Sequence, residues 1–134
     1  HLSLEDFRKA IKNSFALLKE GGIFRCVVPD LEIMARNYIK SLETGNNSAS
    51  VKFMQDTLMG VVSRPRSFKE LVSMLFGNKN HLWMWDALSM AEELHKVGFV
   101  KIRNCQYNDC EVSMFNLVED PDRFENAVAI ECRK

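Results

Sequence analysis

The stretch "LLKEGGIFRCVVPDLE", residues 17–32, decides how this chain folds. Gly21 and Gly22 supply the left-handed turn that chains favour after a helix. The run from Ile23 to Val28 is mostly apolar and does not alternate cleanly, which is typical of a strand covered on both faces. Pro29 ends that strand, and Asp30 is a suitable N-cap for another helix. The stretch therefore predicts a helix–strand–helix passage, the unit from which parallel α/β sheets are built.

Both flanking helices show an apolar stripe at helical spacing. Ser3 is the predicted N-cap of the first helix, with Asp6 in the first turn as a short capping box. The stripe of this first helix consists of Leu4, Phe7, Ile11, Phe15 and Leu18. The stripe of the second consists of Leu31, Met34, Tyr38 and Leu42. We expect both stripes to be buried.

The rest of the chain alternates between helical and strand patterns after a polar loop at residues 43–50. The predicted helices are Val51 to Met59, Phe68 to Phe76 and Trp83 to Val97, and the predicted strands are Phe99 to Cys105 and Ala127 to Cys132. A short helix or extended piece is expected around Val112 to Leu117. Because no clear helix separates the last two strands, we expect them to pair antiparallel.

Composition excludes several function classes. The 134 residues carry 18 basic and 18 acidic side chains, so the net charge gives no general attraction to nucleic acid or anionic lipid. No apolar run approaches the roughly 20 residues that span a bilayer. The cysteines are scattered singly and mostly adjoin apolar runs, which favours reduced thiols over a disulfide framework. These features predict a soluble, cytoplasmic protein without a membrane partner.

Several stretches in order resemble the second half of class I S-adenosylmethionine-dependent methyltransferases. They are "HLSLEDFRKAIKNSFALLKEGGIFRCVVPDLE", "HLWMWD", "EELHKVGFVKI" and "NAVAIECRK". The resemblance implies an α/β fold with a partial Rossmann-like sheet. Its strands would correspond to the fifth, sixth and seventh of the family, the seventh lying antiparallel between the other two. Residues 1–134 would form one domain, with a helical insert or lid at residues 43–98.

The sequence departs from the family at the cofactor loop. The family binds its cofactor mainly with a Gly-rich loop after the first strand, but no Gly-x-Gly occurs in these residues. The pair Gly21-Gly22 follows a helix and precedes a strand, which is the reverse of the required order. We therefore expect His1 to mark the cut edge of a larger methyltransferase, whether by truncation, proteolysis or an incomplete sequence.

The resemblance suggests site residues at two places. His1 and Leu2 match a family segment near the cofactor S-adenosylmethionine, and a frayed terminus is the competing interpretation of His1. The predicted substrate pocket consists of Pro29, Asp30, His81, Trp83, Met84 and Trp85. Simple structural roles compete with this reading, since Asp30 can cap a helix and the aromatic cluster can pack the insert onto the sheet. Neither a catalytic residue nor the methyl acceptor is identified.

Two alternative functions remain open. A metal site would combine Cys105 and Cys110 with His81 or His95, but a single C-x4-C pair is a weak signal. A non-catalytic α/β module would act by dimerisation. Such a homodimer would form through the exposed edge of the Ile23–Val28 strand or through the first helix.

Overall fold

The computed structural model describes residues 2–61, 63–64, 66–69, 72 and 80–134. Within these ranges the α-helices are α1 (Leu4–Leu17), α2 (Leu31–Glu43), α3 (Ala49–Asp56) and α4 (Ala87–Val97). The strands are β1 (Ile23–Pro29), β2 (Val100–Asn104) and β3 (Ala127–Arg133). Two short 3-10 helices, Ser113–Leu117 and Pro121–Phe124, lie between β2 and β3. The predicted helix at 68–76 falls largely outside the described residues.

The three strands form one sheet in the order β1-β3-β2, and β3 runs antiparallel to both neighbours. Cys26 of β1 lies opposite Ile130 of β3, and Asn104 of β2 lies opposite the same residue. Because both outer strands oppose β3, they run parallel to each other. The predicted mixed α/β class and the antiparallel last strand are therefore confirmed.

Burial is distributed differently from the prediction. Every residue from Ile23 to Val28 is half-buried, and Pro29 is exposed, because β1 is an edge strand. The strand covered on both faces is β3, in which Val128 to Cys132 are all buried. The expectation that β1 is the doubly covered strand is therefore wrong for this sheet.

One face of the sheet carries the hydrophobic core against α1 and α4. Ile11 of α1 and Leu94 of α4 are buried there beside Ile130, and Phe99 is fully buried at the start of β2. The Phe99 ring lies 5.0 Å from Phe15 and 5.3 Å from Phe24, measured between ring centroids. The predicted stripe of α1 is confirmed, since its members belong to this core or pack against it.

The N-cap of α1 acts as predicted, but α1 ends at Leu17 with an extended Leu18 as its C-cap, so Gly21 and Gly22 form a separate turn before β1. The Ser3 hydroxyl accepts a hydrogen bond from the Asp6 backbone N–H at 3.2 Å. In the turn before β1, Gly21 has φ +72°, a left-handed conformation that glycine adopts without strain. A Cβ on Gly22 would lie 2.8 Å from the Lys19 carbonyl oxygen, so the turn itself requires this glycine.

Helices α2 and α3 pack mainly on each other. Tyr38 and Phe53 bring their ring centroids to 5.3 Å, yet α2 has no buried residue. Leu42 is exposed, and the other members of the predicted stripe are only half-buried. The prediction of a buried α2 stripe is therefore wrong, because no described element covers that side of the helix fully.

The start of one helix differs from the sequence prediction. Helix α4 begins at Ala87 rather than at Trp83, because the Asp86 side chain accepts a hydrogen bond from Ser89 N–H and caps the helix there. Although α4 falls within the predicted insert at 43–98, it packs in the core.

In β2 the register shifts between Val100 and Arg103, and Lys101 has φ +49°. This bulge leaves Val100 exposed, whereas Ile102 is half-buried and packs against the core.

Candidate functional site

The junction between β1 and α2 is the central element of the candidate site. Asp30 Oδ1 accepts hydrogen bonds from the Glu32 N–H at 2.7 Å and the Ile33 N–H at 3.3 Å. The Asp30 N–H donates to the Asn126 carbonyl at 3.0 Å. Asp30 is therefore the N-cap of α2, and its carboxyl group is fixed at the carboxyl end of β1.

The segment that precedes α4 returns to this same junction. The Leu31 N–H donates to the Trp85 carbonyl at 2.9 Å, and Asp30 forms an isolated parallel bridge with Trp85. Two of the predicted pocket residues, Asp30 and Trp85, are thus brought together through their backbones. The side chains of these residues have different surroundings.

The aromatic cluster is divided between core and surface. Trp85 is 7% exposed and belongs to the hydrophobic core, where its ring lies 4.6 Å from that of Phe7. Met84 is also buried, whereas Trp83 is 45% exposed. Trp83 and Trp85 lie 6.1 Å apart between ring centroids. Only Trp83 of this group offers an indole surface to solvent.

His81 lies against the end of α3. Its Nδ1 is 2.9 Å from the Thr57 carbonyl oxygen, and its backbone N–H donates to the Leu58 carbonyl at 3.1 Å. Thr57 itself is fully buried. These contacts give His81 a structural role that joins the two ends of the segment between residues 58 and 81.

The remaining predicted positions lie apart from this junction. Leu2 is 48% exposed just before the N-cap of α1. His1 lies outside the described residues. Pro29 is exposed at the end of β1, opposite Ala127 of β3.

A cleft of about 410 Å³ opens at the edge of the sheet where β1 and β2 end. It is lined by Asp30, Ala87, Asn104, Cys105, Gln106, Tyr107, Phe124, Ala127, Val128 and Ala129. Of the predicted substrate-pocket residues Asp30 lies in this lining, and Cys105 was a candidate only for the alternative metal site. The others were missed, although parallel outer strands place the carboxyl ends of β1 and β2 at one edge, where α/β sheets usually bind ligands.

A row of charged side chains crosses the opposite face of the sheet from the core. Arg25 donates to Glu119 at 2.7 Å and to Glu131 at 2.8 Å, and its side chain is 4% exposed. Arg103 donates to the other oxygen of Glu131 at 2.7 Å and to Asp109 at 2.8 Å. We call these five residues the charged row.

The charged row holds the β2–β3 connection on the sheet. Arg25 also donates to the Asp109 carbonyl at 2.7 Å, and its guanidinium lies 5.4 Å from the centre of the Phe115 ring. Burial lowers the pKa of Arg25, but hydrogen bonds to Glu119 and Glu131 outweigh that effect and raise it overall. Arg25 therefore stays charged and bound, and it supports the wall of the cleft rather than exchanging protons.

Three of the four thiols lack the lowered pKa of a reactive cysteine. All four cysteines are free, and burial raises the pKa of Cys26 and of Cys132 to about 12 each. Burial also raises the pKa of Cys105. Because the thiolate is the nucleophile, these thiols are protonated and unreactive at neutral pH.

The alternative metal site gains no support. Within the described ranges, no three His, Cys, Asp or Glu side chains are grouped so that they could hold a metal ion. Cys110 instead donates to the Asn116 side-chain oxygen at 3.0 Å.

Comparison with known proteins assigns no family. No family model, no curated protein and no solved structure matches this chain. Among the described helices, none combines the length and apolar character needed to cross a bilayer.

Proposed function

We propose that this chain forms the substrate side of a class I S-adenosylmethionine-dependent methyltransferase. The observation that carries the proposal is the strand order β1-β3-β2, with β3 antiparallel between two strands that run parallel. This order is the one that the resemblance of the sequence implies for the family's fifth, seventh and sixth strands. A central position of the last strand is a specific expectation of the resemblance. An antiparallel pair of β2 and β3 could also have placed β3 at the edge of the sheet, beyond β2.

The position of the cleft agrees with this proposal. Asp30 follows β1 and Asn104 is the last residue of β2, and both line the same opening. A methyl acceptor held there would gain from fixed positioning, which can supply much of the barrier reduction without a general base.

The residues present do not fit the cofactor. Gly22 is required by its own turn, because a Cβ would meet the Lys19 carbonyl, and Gly21 lies in the same turn before β1. Neither glycine follows a strand in the way that a nucleotide-binding loop requires. We therefore assign the described residues to the acceptor side and derive no step through S-adenosylmethionine.

Calorimetric titration tests this proposal. S-adenosylmethionine would be titrated into the 134-residue chain and into the protein encoded by the full natural reading frame, with ATP as an adenine-bearing control. We expect binding to the full-frame protein and none of comparable strength with ATP. Absence of S-adenosylmethionine binding to both proteins would overturn the proposal.

A second candidate function, a non-catalytic dimerisation module, is favoured by the edge of β1. Gly22 accepts from the Lys134 N–H and the Asp30 N–H donates to the Asn126 carbonyl, on either side of β3, so the even-numbered residues of β1 face β3. The N–H groups of Ile23 and Val27 consequently point away from it. Apart from the bridge of Asp30 with Trp85, no strand among the described residues pairs with this outer edge. Exposed edges of this kind pair readily with another strand.

Light scattering after size exclusion tests this second candidate. A dimer that dissociates in the variant Val27→Pro would support pairing through β1, because proline removes an outward N–H and leaves the bonds to β3. Circular dichroism would verify that the variant folds. A wild-type monomer at high concentration would contradict the dimerisation module.

A further inference from the structure

The cleft at the carboxyl edge of the sheet has dimensions suited to one small molecule. Its volume of about 410 Å³ lies within the range of roughly 300–1,000 Å³ that small-molecule sites occupy. Its walls come from the junction of β1 with α2, from the start of the β2–β3 connection and from β3. The chemistry of this lining restricts what can bind.

The charge of the lining disfavours anions. Asp30 is the one residue of the lining whose side chain carries a carboxylate, an amine or a guanidinium group. Its Oδ1 already accepts from two N–H groups at the start of α2, so the positive end of that helix is occupied by the chain's own carboxylate. An anion would meet this carboxylate and find no arginine or lysine in the wall.

The charge near the cleft also gives little preference for a cation. The α2 N-terminus partly offsets the charge of Asp30. Arg25 donates at 3.5 Å to the Gln106 carbonyl in the wall, but its guanidinium is engaged with Glu119 and Glu131. The lining itself is therefore weakly negative through Asp30, while the neighbouring charges are paired with one another.

The polar side chains of the lining can both donate and accept hydrogen bonds. Asn104 and Gln106 carry amides, and Tyr107 carries a hydroxyl. The structure records no hydrogen bond to the side chain of any of these three, nor to Asp30 Oδ2, from another described residue. Groups of this kind match hydroxyls, which donate and accept in the same way.

Two aromatic rings complete the wall. Tyr107 and Phe124 are both half-buried, and their ring centroids lie 5.8 Å apart in an edge arrangement. An aromatic face presents an apolar surface to the C–H groups of a ring, while polar groups beside it bind that ring's hydroxyls. The combination of rings, amides and one carboxylate suits a ligand that is apolar on its faces and polar at its rim.

We propose that this cleft binds an uncharged, hydroxyl-bearing ring, of which a sugar ring is the simplest example. The ring stacks on Tyr107 or Phe124 and its hydroxyls bond to Asp30 Oδ2 and the neighbouring amides. This inference rests on the cleft alone and does not require that the chain be a methyltransferase.

Titration followed by ¹H–¹⁵N correlation spectra tests the inference on the 134-residue chain. The neutral probes are glucose, galactose, mannose and N-acetylglucosamine, each taken to about 100 mM because unoptimised sites bind in the millimolar range. Glucosamine and glucose 6-phosphate serve as cationic and anionic counterparts. We expect at least one neutral probe to shift the amide signals of Gln106, Tyr107 and Ala127 to Ala129 in a saturable way. The absence of such shifts with all four, or stronger binding of either charged counterpart, would overturn the inference.

Matched variants locate the binding. Tyr107→Ala removes an aromatic wall and should weaken binding about tenfold, whereas Tyr38→Ala removes a tyrosine between α2 and α3 and should leave it unchanged. Asp30→Asn keeps an effective helix cap and removes the free acceptor, so binding should fall about fivefold. The spectra themselves verify that each variant is folded. Equal binding by Tyr107→Ala and wild type would contradict the proposed site.

Discussion

The two faces of the sheet are held by different physics. The face toward α1 and α4 is apolar, with Phe99, Leu94 and Ile130 fully buried. The other face carries the charged row, in which the Arg25 and Glu131 side chains are 4% and 5% exposed. The first face depends on filled volume, while the second depends on every charge keeping its partner. Substitutions should therefore act through different mechanisms on the two faces.

The largest effect is expected on the apolar face. Phe99→Ala should lower the free energy of unfolding by about 3–5 kcal/mol, because it leaves a cavity between Phe15 and Phe24. Urea denaturation measures this loss. Phe99→Leu, which retains most of the volume, should cost clearly less. Equal losses for the two variants would argue against close packing at this position.

A slightly smaller loss is expected on the charged face. Glu131→Gln should cost about 3 kcal/mol, because Arg25 and Arg103 both lose a charged partner while Arg25 retains Glu119. The same urea measurement applies.

The double variant Arg25→Met with Glu131→Leu sharpens the comparison of the faces. Removing both buried charges should recover part of the loss, to within about 2 kcal/mol of wild type, since Arg103 keeps Asp109 and only Glu119, 11% exposed, loses its partner. A double variant less stable than Glu131→Gln would show that Arg25 and Glu131 stabilise the folded state beyond neutralising each other.

Acid should weaken an ion pair that joins the helices on the apolar side. Arg8 donates two hydrogen bonds to Glu93, at 2.6 Å and 2.8 Å, and they lower the pKa of that carboxyl from 4.5 to about 2. The folded state binds this proton less readily than the unfolded state does. The stabilisation is therefore present above pH 4.5 and is lost as the pH falls toward about 2.

Urea denaturation of wild type and Glu93→Gln between neutral and acid pH measures this contribution. The difference in stability between the two should shrink as the pH falls through that window. A difference that stays constant across it would show that the ion pair with Arg8 is not the cause.

The smallest effect is expected for an exposed pair. Arg36 and Glu32 lie one turn apart on α2 and are mostly exposed, so Glu32→Ala should cost only about 0.3–0.5 kcal/mol. The change in melting temperature measures it. A loss of stability comparable to that of Glu131→Gln would contradict the view that the charged row stabilises the fold more because it is buried.

Local signals were sufficient to predict much of the fold. Ser3 and Asp30 cap their helices through hydrogen bonds to residues within three positions, so their roles are readable from the sequence. The bulge at Lys101 and the exposed α2 stripe depend on strand register and on neighbouring elements. No periodicity in one segment carries that information.

The site was less predictable for the same reason. Trp85 looks like a pocket residue in an aromatic cluster, but the position of Phe7 on α1 makes it part of the core. Tyr107 and Phe124 lie in a connection without strong periodicity, and they reach the cleft because distant charges of the row fix that connection. Of the predicted pocket residues, Asp30 lies in the cleft because its location follows from a strand end and a helix cap.

The hydrogen bond between His81 and Leu58 has a consequence for how this protein can vary. It joins two positions that are 23 residues apart in the sequence. The bond between Trp85 and Leu31 then holds the chain a second time beside the cleft. The entropy of closing a loop grows only slowly with its length. We therefore expect designed chains that are shorter or longer between residues 58 and 81 to keep the geometry of the sheet edge beside the cleft.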